Sequence, residues 1–234
     1  MQVSIIIPVY KEQEAIVHTL AAMAGLLDSI PHEILVVDGE PGGTTLSFLE
    51  TRTCPQKDVR LLTSARGRGP QLNTGAKAAR GDLLFFVHAD SRPDQAGVEE
   101  MATAWQASSS ALFCGTFDLA IDSARPIFRI IEKTASLRSR LTRIPYGDQG
   151  IFMSRVLFEK VGGFPDQPLM EDVGLMAAVK KTGIKPVFLN RKMLTSARRW
   201  ETRGIAKTTL SNWVFISLYL LGVSPEKLVQ WYYK

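Results

Sequence analysis

The sequence predicts an α/β fold: a mostly parallel sheet flanked by helices, mixed strands in its second half, and a helical C-terminal tail. Two observations carry that expectation. Short β-branched apolar runs alternate with helical patterns early in the chain, as βαβ crossovers do. Those runs are continuously apolar rather than alternating, as strands buried on both faces are. With 234 residues, 45% hydrophobic and 22% charged, there is material for one sizeable core. The composition excludes a disordered, collagen-like or disulfide-rich chain.

Each element follows in order. Residues 3–9 form the first strand, which closes around Pro8. From Glu12 onward Ile16, Leu20, Met23 and Leu27 recur at helical spacing. Residues 34–37 are a second buried strand that stops at Asp38-Gly39. A helix over 44–52 leads to a third strand at 59–62, and a small-residue helix over 72–80 leads to a fourth strand at 83–87. Beyond Pro93 a helix carries Met101 and Trp105, and residues 112–121 alternate as a half-exposed strand does. Helices are expected over 127–141 and 173–181, and short strands over 150–153 and 187–189. The tail from 204 to 233 reads as one or two helices, with Ser224-Pro225-Glu226 as a helix start. No repeat or Gly/Ser linker interrupts the chain. It is expected to be one domain: 1–92 for a nucleotide, 93–203 for a second substrate, and 204–234 as the tail.

The net charge of +5 favours anionic partners only mildly. The two cysteines, Cys54 and Cys114, lie far apart in no metal spacing, which suggests a reducing compartment. The first residues lack a basic n-region. The apolar stretch 210–223 is 14 residues long with Ser211, Asn212 and Ser217 inside it, short of the roughly 20 that span a bilayer. A cytoplasmic protein, with membrane association through the tail as the alternative, is the expectation.

Ligands of open parallel sheets bind at the carboxyl ends of the strands. Residues just after each strand therefore matter most. They are Tyr10 and Glu12 after the first, Asp38 after the second, Arg66, Arg68 and Gln71 after the third, and His88 and Asp90 after the fourth. A ring for a base, acids for polar groups and a divalent cation, and arginines for a diphosphate suit a nucleotide. Each has a plainer reading. A lone Asp after a strand can cap a helix, and Arg66 and Arg68 can be a solvated turn. No dinucleotide fingerprint, Walker loop or His-Glu-x-x-His occurs.

The combination resembles the family-two glycosyltransferases of GT-A fold over nearly the whole chain. Residues 4–10 (Ser-Ile-Ile-Ile-Pro-Val-Tyr) resemble the opening strand, and residues 34–39 the second. Residues 66–82 resemble the segment before the metal-binding strand, and His88-Ala89-Asp90 stands where that family has Asp-x-Asp. Gly162-Gly163-Phe164 followed by Met170-Glu171-Asp172 resembles the acceptor-side segment with the catalytic base. His88-Ala89-Asp90, the segments 146–152 and 168–172, and 195–200 are together similar to a small bacterial subfamily found with radical-SAM proteins and associated with arsenosugar biosynthesis.

That resemblance implies transfer of a sugar from a nucleoside-diphosphate sugar, a UDP-sugar first, to a small-molecule or lipid acceptor, with inversion. It implies Asp172 as the general base and Asp90 as ligand of a divalent metal, Mn²⁺ or Mg²⁺. Donor contacts would come from Pro8, Tyr10, Glu12, Asp38, Arg66, Arg68, Gln71 and His88. Acceptor or phosphate contacts would come from Asp148, Gln149, Glu171, Arg199 and Trp200. Imidazole suits Mn²⁺ better than hard Mg²⁺, so His88 is a nucleotide contact or a metal ligand. Asp172 also reads as a helix start, and Trp200 as a core residue beside a solvated charge run. Arg199-Trp200 matches the end of the Gln-x-x-Arg-Trp motif of processive members, but Ser196 replaces its Gln. The rivals are a nucleotidyltransferase, against which the glycine-free 9–12 segment argues, and a membrane-surface or partner-binding module. Nucleic acid is not an expected partner. The tail helices are expected to serve as core, as a homodimer contact or as a peripheral membrane contact.

Overall fold

The first strand, β1 (Val3–Val9), is central to an eight-stranded sheet, and every residue in it is buried. Its side chains divide by parity. Val3, Ile5, Ile7 and Val9 join one apolar cluster while Ile6 joins another on the opposite face. The computed structural model describes residues 2–26, 30–51 and 59–232. The strands β2 (His32–Asp38), β3 (Val59–Thr63) and β4 (Leu83–Phe86) run parallel to β1. The helices α1 (Gln13–Met23), α2 (Thr44–Glu50) and α3 (Arg68–Ala78) are the crossovers between them.

The sheet continues through β5 (Ser91–Pro93), β6 (Cys114–Asp122), β7 (Ile151–Ser154) and β8 (Val187–Ser196) in the order β3-β2-β1-β4-β7-β6-β8-β5. The β4–β7, β6–β7 and β5–β8 pairs are antiparallel and β6–β8 is parallel, which is the expected mixing in the second half. The helix α4 (Gln95–Ala107) packs with α1 and α2, while α3, α6 (Arg155–Lys160) and α7 (Glu171–Lys181) cover the other face. A third cluster joins β6 to α5 (Pro126–Thr142) and α8 (Arg198–Arg203) around Phe128, Ile131 and Trp200.

Several boundaries differ from expectation. The third crossover helix begins at Arg68, not 72, because Gly67 takes φ +128° and turns the chain into it. Pro70 fits within a first turn whose N–H groups have no intrahelical partner. Arg68 and Gln71 are therefore helical rather than in a loop. The last strand reaches Ser196, far past 189, since its charged residues Arg191 and Lys192 face outward while Met193 and Thr195 face the core. Basic residues between 191 and 207 are therefore divided between β8 and the two helices that follow. The short elements β5, α6, α8 and a 3₁₀ turn at Gly147–Gln149 are additions. Leu27 and Cys54, and the ends at 52 and 233 of the helix and tail expected above, lie outside the described residues.

The tail folds as α9 (Ile205–Leu220) and α10 (Pro225–Tyr232). Only one side of α9 is packed: Phe215 and Ile216 are buried, and Leu210, Trp213 and Val214 are exposed. No helix among the described residues is long and apolar enough to cross a membrane.

Helix α3 lies close on the sheet because Gly75 has no side chain. A Cβ there would overlap the Ile6 side chain and come within 3.1 Å of Val37 Cγ2. Gly75→Ala is expected to destabilise the fold by about 1–3 kcal/mol through overpacking. Chemical denaturation measures this, and a loss under about 0.5 kcal/mol would mean that α3 lifts freely.

Candidate active site

The site begins at a gap between two strands. Odd residues of β1 bond toward β2, as Gly39 N–H does to Val9 O, and even ones toward β4, as Val87 N–H does to Ile6 O. Pro8, the next even residue, has no N–H, and β4 pairing has ended at Ile6. The two strands therefore part at their carboxyl ends, where the chain order reverses from β2 to β4 about β1. That is the switch point at which open α/β sheets bind ligands. Tyr10, Arg66 and His88 follow strands of this edge, and Asp38 is the last residue of one.

On the donor-like side the Arg66 guanidinium stands 4.8 Å from the Tyr10 ring centroid. Asp38 is wholly buried; its Oδ1 accepts from Glu40 N–H at 2.8 Å, and its Oδ2 has no hydrogen-bond partner among the described residues. A buried carboxylate oxygen without a donor points to a ligand N–H or O–H. Two expected contacts are otherwise engaged. Both N–H groups of Gln71 go to the Val9 and Val37 carbonyls, each at 2.7 Å, so Gln71 ties the ends of β1 and β2 together. Glu12 accepts both of its bonds from Arg198 Nη2, at 3.1 and 3.0 Å.

The first turn of α7 joins the two halves of the molecule. Arg68 Nη1 meets Glu171 Oε1 at 3.0 Å, and Glu171 is nearly buried. Beside it, Asp172 Oδ2 accepts the Gly147 N–H at 2.7 Å, and Oδ1 accepts its neighbour Val173 N–H at 2.7 Å. Asn73 fastens the approach to this helix, giving Nδ2–H to Phe164 O at 2.8 Å and accepting Phe164 N–H at 2.9 Å. Burial, with the Glu171 charge next to it, pushes the Asp172 carboxyl up to about 6. A carboxylate near neutrality suits proton abstraction.

His88 closes on the same point. A Cβ at Gly147 would lie 2.5 Å from His88 Nε2 and 3.6 Å from Asp172 Oδ2, so only glycine lets the three meet. Burial, then the Arg68 and Arg199 charges, hold His88 down to about 3; the ring is neutral and brings no charge to this cleft. Asp90, half-buried, receives a long 3.4 Å contact from the Ser91 hydroxyl, itself bonded to Thr195 Oγ1 at 2.9 Å.

Of the acceptor-side expectations, Asp148 stands half-buried in the wall, its carboxyl raised by burial and by the Asp90 charge against the opposing pull of Arg138 and Arg199. Gln149 is wholly buried. Its amide donates to Phe117 O at 3.1 Å and Ser139 Oγ at 3.0 Å, so it builds the turn. Arg199 is exposed and bonds Asn212 Oδ1 at 3.2 Å. Trp200 is buried, edge-on to Phe128 at 6.1 Å. Its ring packs as a core member, and its indole N–H has no hydrogen-bond partner among the described residues. Gly147 and Arg138 were not singled out from the sequence. Glycine inside the Tyr146–Gln149 run was the available signal for the first; an arginine on an apolar helix gave none for the second.

The neutral state of His88 can be read directly. In an NMR titration of the three histidines, the His88 ring is expected to stay unprotonated down to about pH 4.5. A midpoint near the ordinary value of about 6.5 would contradict the cleft geometry.

Residues 4–164 match the family described as Glycosyl transferase family 2. Among solved structures, the chain is similar to S. aureus TarS residues 1–349 in complex with UDP-GlcNAc, with TM-score 0.62, 16% identity and coverage of 84% of this chain and 58% of that one. It is also similar to the mannosyltransferase PcManGT from Pyrobaculum calidifontis in complex with GDP-Man and Mn²⁺, with TM-score 0.66, 21% identity and coverage of 96% and 66%. The chain thus spans about three fifths of the length of the TarS fragment. No curated protein sequence matches it. With the family match over most of the chain and the GT-A-like sheet and cleft in hand, the chain belongs to glycosyl transferase family 2, and its domain is a glycosyltransferase domain.

Proposed function

We propose that this protein moves a sugar from a nucleoside-diphosphate sugar to an acceptor hydroxyl with inversion, using Asp172 as the general base. The observation that carries the reading is the Asp172 carboxylate. It is fixed by the Gly147 N–H, tuned to about 6, and set near His88, which follows β4. The acceptor oxygen attacks the anomeric carbon from the face opposite the diphosphate. The bond to the diphosphate oxygen breaks with its electron pair, and the acceptor proton passes to Asp172. One base and one displacement invert the centre.

Donor recognition follows from groups whose valences remain. Tyr10 under Arg66 offers a stacking surface for the base, and the Asp38 Oδ2 an acceptor for its N–H. Arg66 and Arg68 face the diphosphate. The UDP-GlcNAc and GDP-Man bound by the similar proteins support a nucleotide sugar here, with a UDP-sugar as the first choice. The likeness of the His88–Asp90 and 146–152 segments to the radical-SAM-associated subfamily supports a small acceptor of arsenosugar type. The exposed Leu210, Trp213 and Val214 on α9 favour a second role for the tail, contact with a membrane surface or another copy, on a protein working in the cytoplasm.

Among the described residues no three His, Cys, Asp or Glu side chains form a metal-ligand group. Asp90 nonetheless fits a hard divalent cation shared with a substrate. Its carboxylate carries one weak protein contact, and such cations take one or two carboxylates with phosphate oxygens and water as the rest. Bound there, the cation supplies charge neutralisation for the departing diphosphate. His88, neutral beside Asp90, orients the donor.

Two outcomes test this. Asp90→Ala is expected to abolish the Mn²⁺-dependent part of nucleoside-diphosphate affinity; calorimetry that finds the same metal dependence in the variant would remove Asp90 from the site. Asp172→Asn keeps shape and cannot take the proton, so transfer should slow by at least about 100-fold while donor affinity stays within a few-fold. Wild-type transfer should fall as pH drops through about 6 and Asp172 protonates, whereas the variant's residual rate is flat. Near wild-type transfer by Asp172→Asn would move the base elsewhere, with Asp148 next in line.

A further inference from the structure

Beside the base lies a cavity of about 40 Å³ lined among others by Arg138, Tyr146, Asp148, Trp200, Thr209 and Asn212. Helix α5, the 3₁₀ turn, α8 and α9 each contribute a wall. Arg138 Nη2, Trp200 Nε1 and Thr209 Oγ1 are all buried without a hydrogen-bond partner among the described residues, and all three belong to residues of this lining. Trp200 is only 6% exposed. Buried polar atoms are normally satisfied, so three such atoms around one space are a demand for a ligand.

The donor types say which ligand. Guanidinium and indole nitrogens can only donate, so the occupant must accept, and an apolar group would leave both unsatisfied. Arg138 is held rigidly for the purpose. Its Nη1 donates to Ile144 O at 3.1 Å, and the guanidinium stacks 3.5 Å from the Tyr146 ring centroid. Tyr146 and Asp148 flank Gly147, whose N–H holds the Asp172 carboxylate. Two residues of the cavity lining thus flank the glycine that holds the proton acceptor.

We propose that this cavity is an oxyanion subsite, receiving a carboxylate or phosphate group carried by the acceptor whose hydroxyl faces Asp172. It rests on the transferase reading above. Arg138 supplies the charge, and the Trp200 N–H and Thr209 hydroxyl fix the oxygens. Burial raises the Asp148 carboxyl, against the pull of Arg138 and Arg199.

The test is an NMR titration of the Trp indole N–H signals with sodium phosphate or sodium acetate, against sodium chloride at equal ionic strength. UDP and Mg²⁺ are kept present so that the donor site does not report the phosphate. The Trp200 signal, identified by its loss in Trp200→Phe, should move saturably with phosphate or acetate and not with chloride. The better binder of the two identifies the acidic group. Arg138→Gln and, independently of it, Thr209→Val should weaken that binding, the former by at least about tenfold, with UDP affinity unchanged within about twofold. A Trp200 signal indifferent to both anions, as in a cavity that holds only water, would overturn the subsite, and so would equal anion affinity in both variants. Loss of UDP binding by the wild type with the anion response intact would instead remove the transferase reading and leave the subsite standing.

Discussion

The pairing of Glu171 with Arg68 is the contact on which the rest of the cleft depends. Glu171 is nearly buried, and among the described residues its cationic partner is Arg68, the first residue of α3. A buried carboxylate without that partner would be strongly unfavourable. The first turn of α7 is therefore obliged to sit against α3. The next residue, Asp172, is then delivered to the Gly147 N–H of the other half. The ion pair adds little stability by itself, because the Arg68 side chain is half-exposed and solvent screens it. Its effect is positional and electrostatic. Glu171 raises the Asp172 carboxyl and Arg68 lowers it, so removing the arginine would leave two adjacent acids in one desolvated turn.

Much of this was legible in the sequence, for identifiable reasons. The four parallel strands were readable because burial on both faces forces unbroken apolar runs, and the edge residues followed from the strand ends. Asp38 closes β2 and Asp90 lies just past β4, the strand ends that this logic singled out, whereas Arg68, expected in a loop, begins α3 and Asp172 came from the family resemblance. What the sequence concealed was the use of valences. Gln71 and Gln149 have the chemistry of ligand contacts, yet both Gln71 amide protons go to strand-end carbonyls and those of Gln149 to the Phe117 carbonyl and the Ser139 hydroxyl. Trp200 carried both readings, and its packing on Phe128 decides for the core while leaving one N–H over. Arg138 was invisible, since a helical arginine reveals nothing until the fold sets it on Tyr146.

Charge was the least informative quantity at the start, and the pairing explains why. A net +5 suggests an anionic partner only weakly. Part of the basic complement is matched by acids elsewhere in the fold: Arg60 with Glu33, Arg140 with Asp118, Arg191 with Glu100, and Arg129 and Lys192 with Glu132. Subtracting those pairs leaves a different distribution. Arg66 contacts a ring, Arg199 an amide, and Arg138 a ring and a carbonyl. Neutral His88, at the position where an acid would add negative charge, shifts the balance further. Arg66, Arg138 and Arg199, which have no carboxylate partner among the described contacts, thus stand at the cleft and its neighbouring cavity. A diphosphate on one side of Asp172 and an acidic acceptor on the other would each complete a set of donors that the protein leaves open, with the proton acceptor between them.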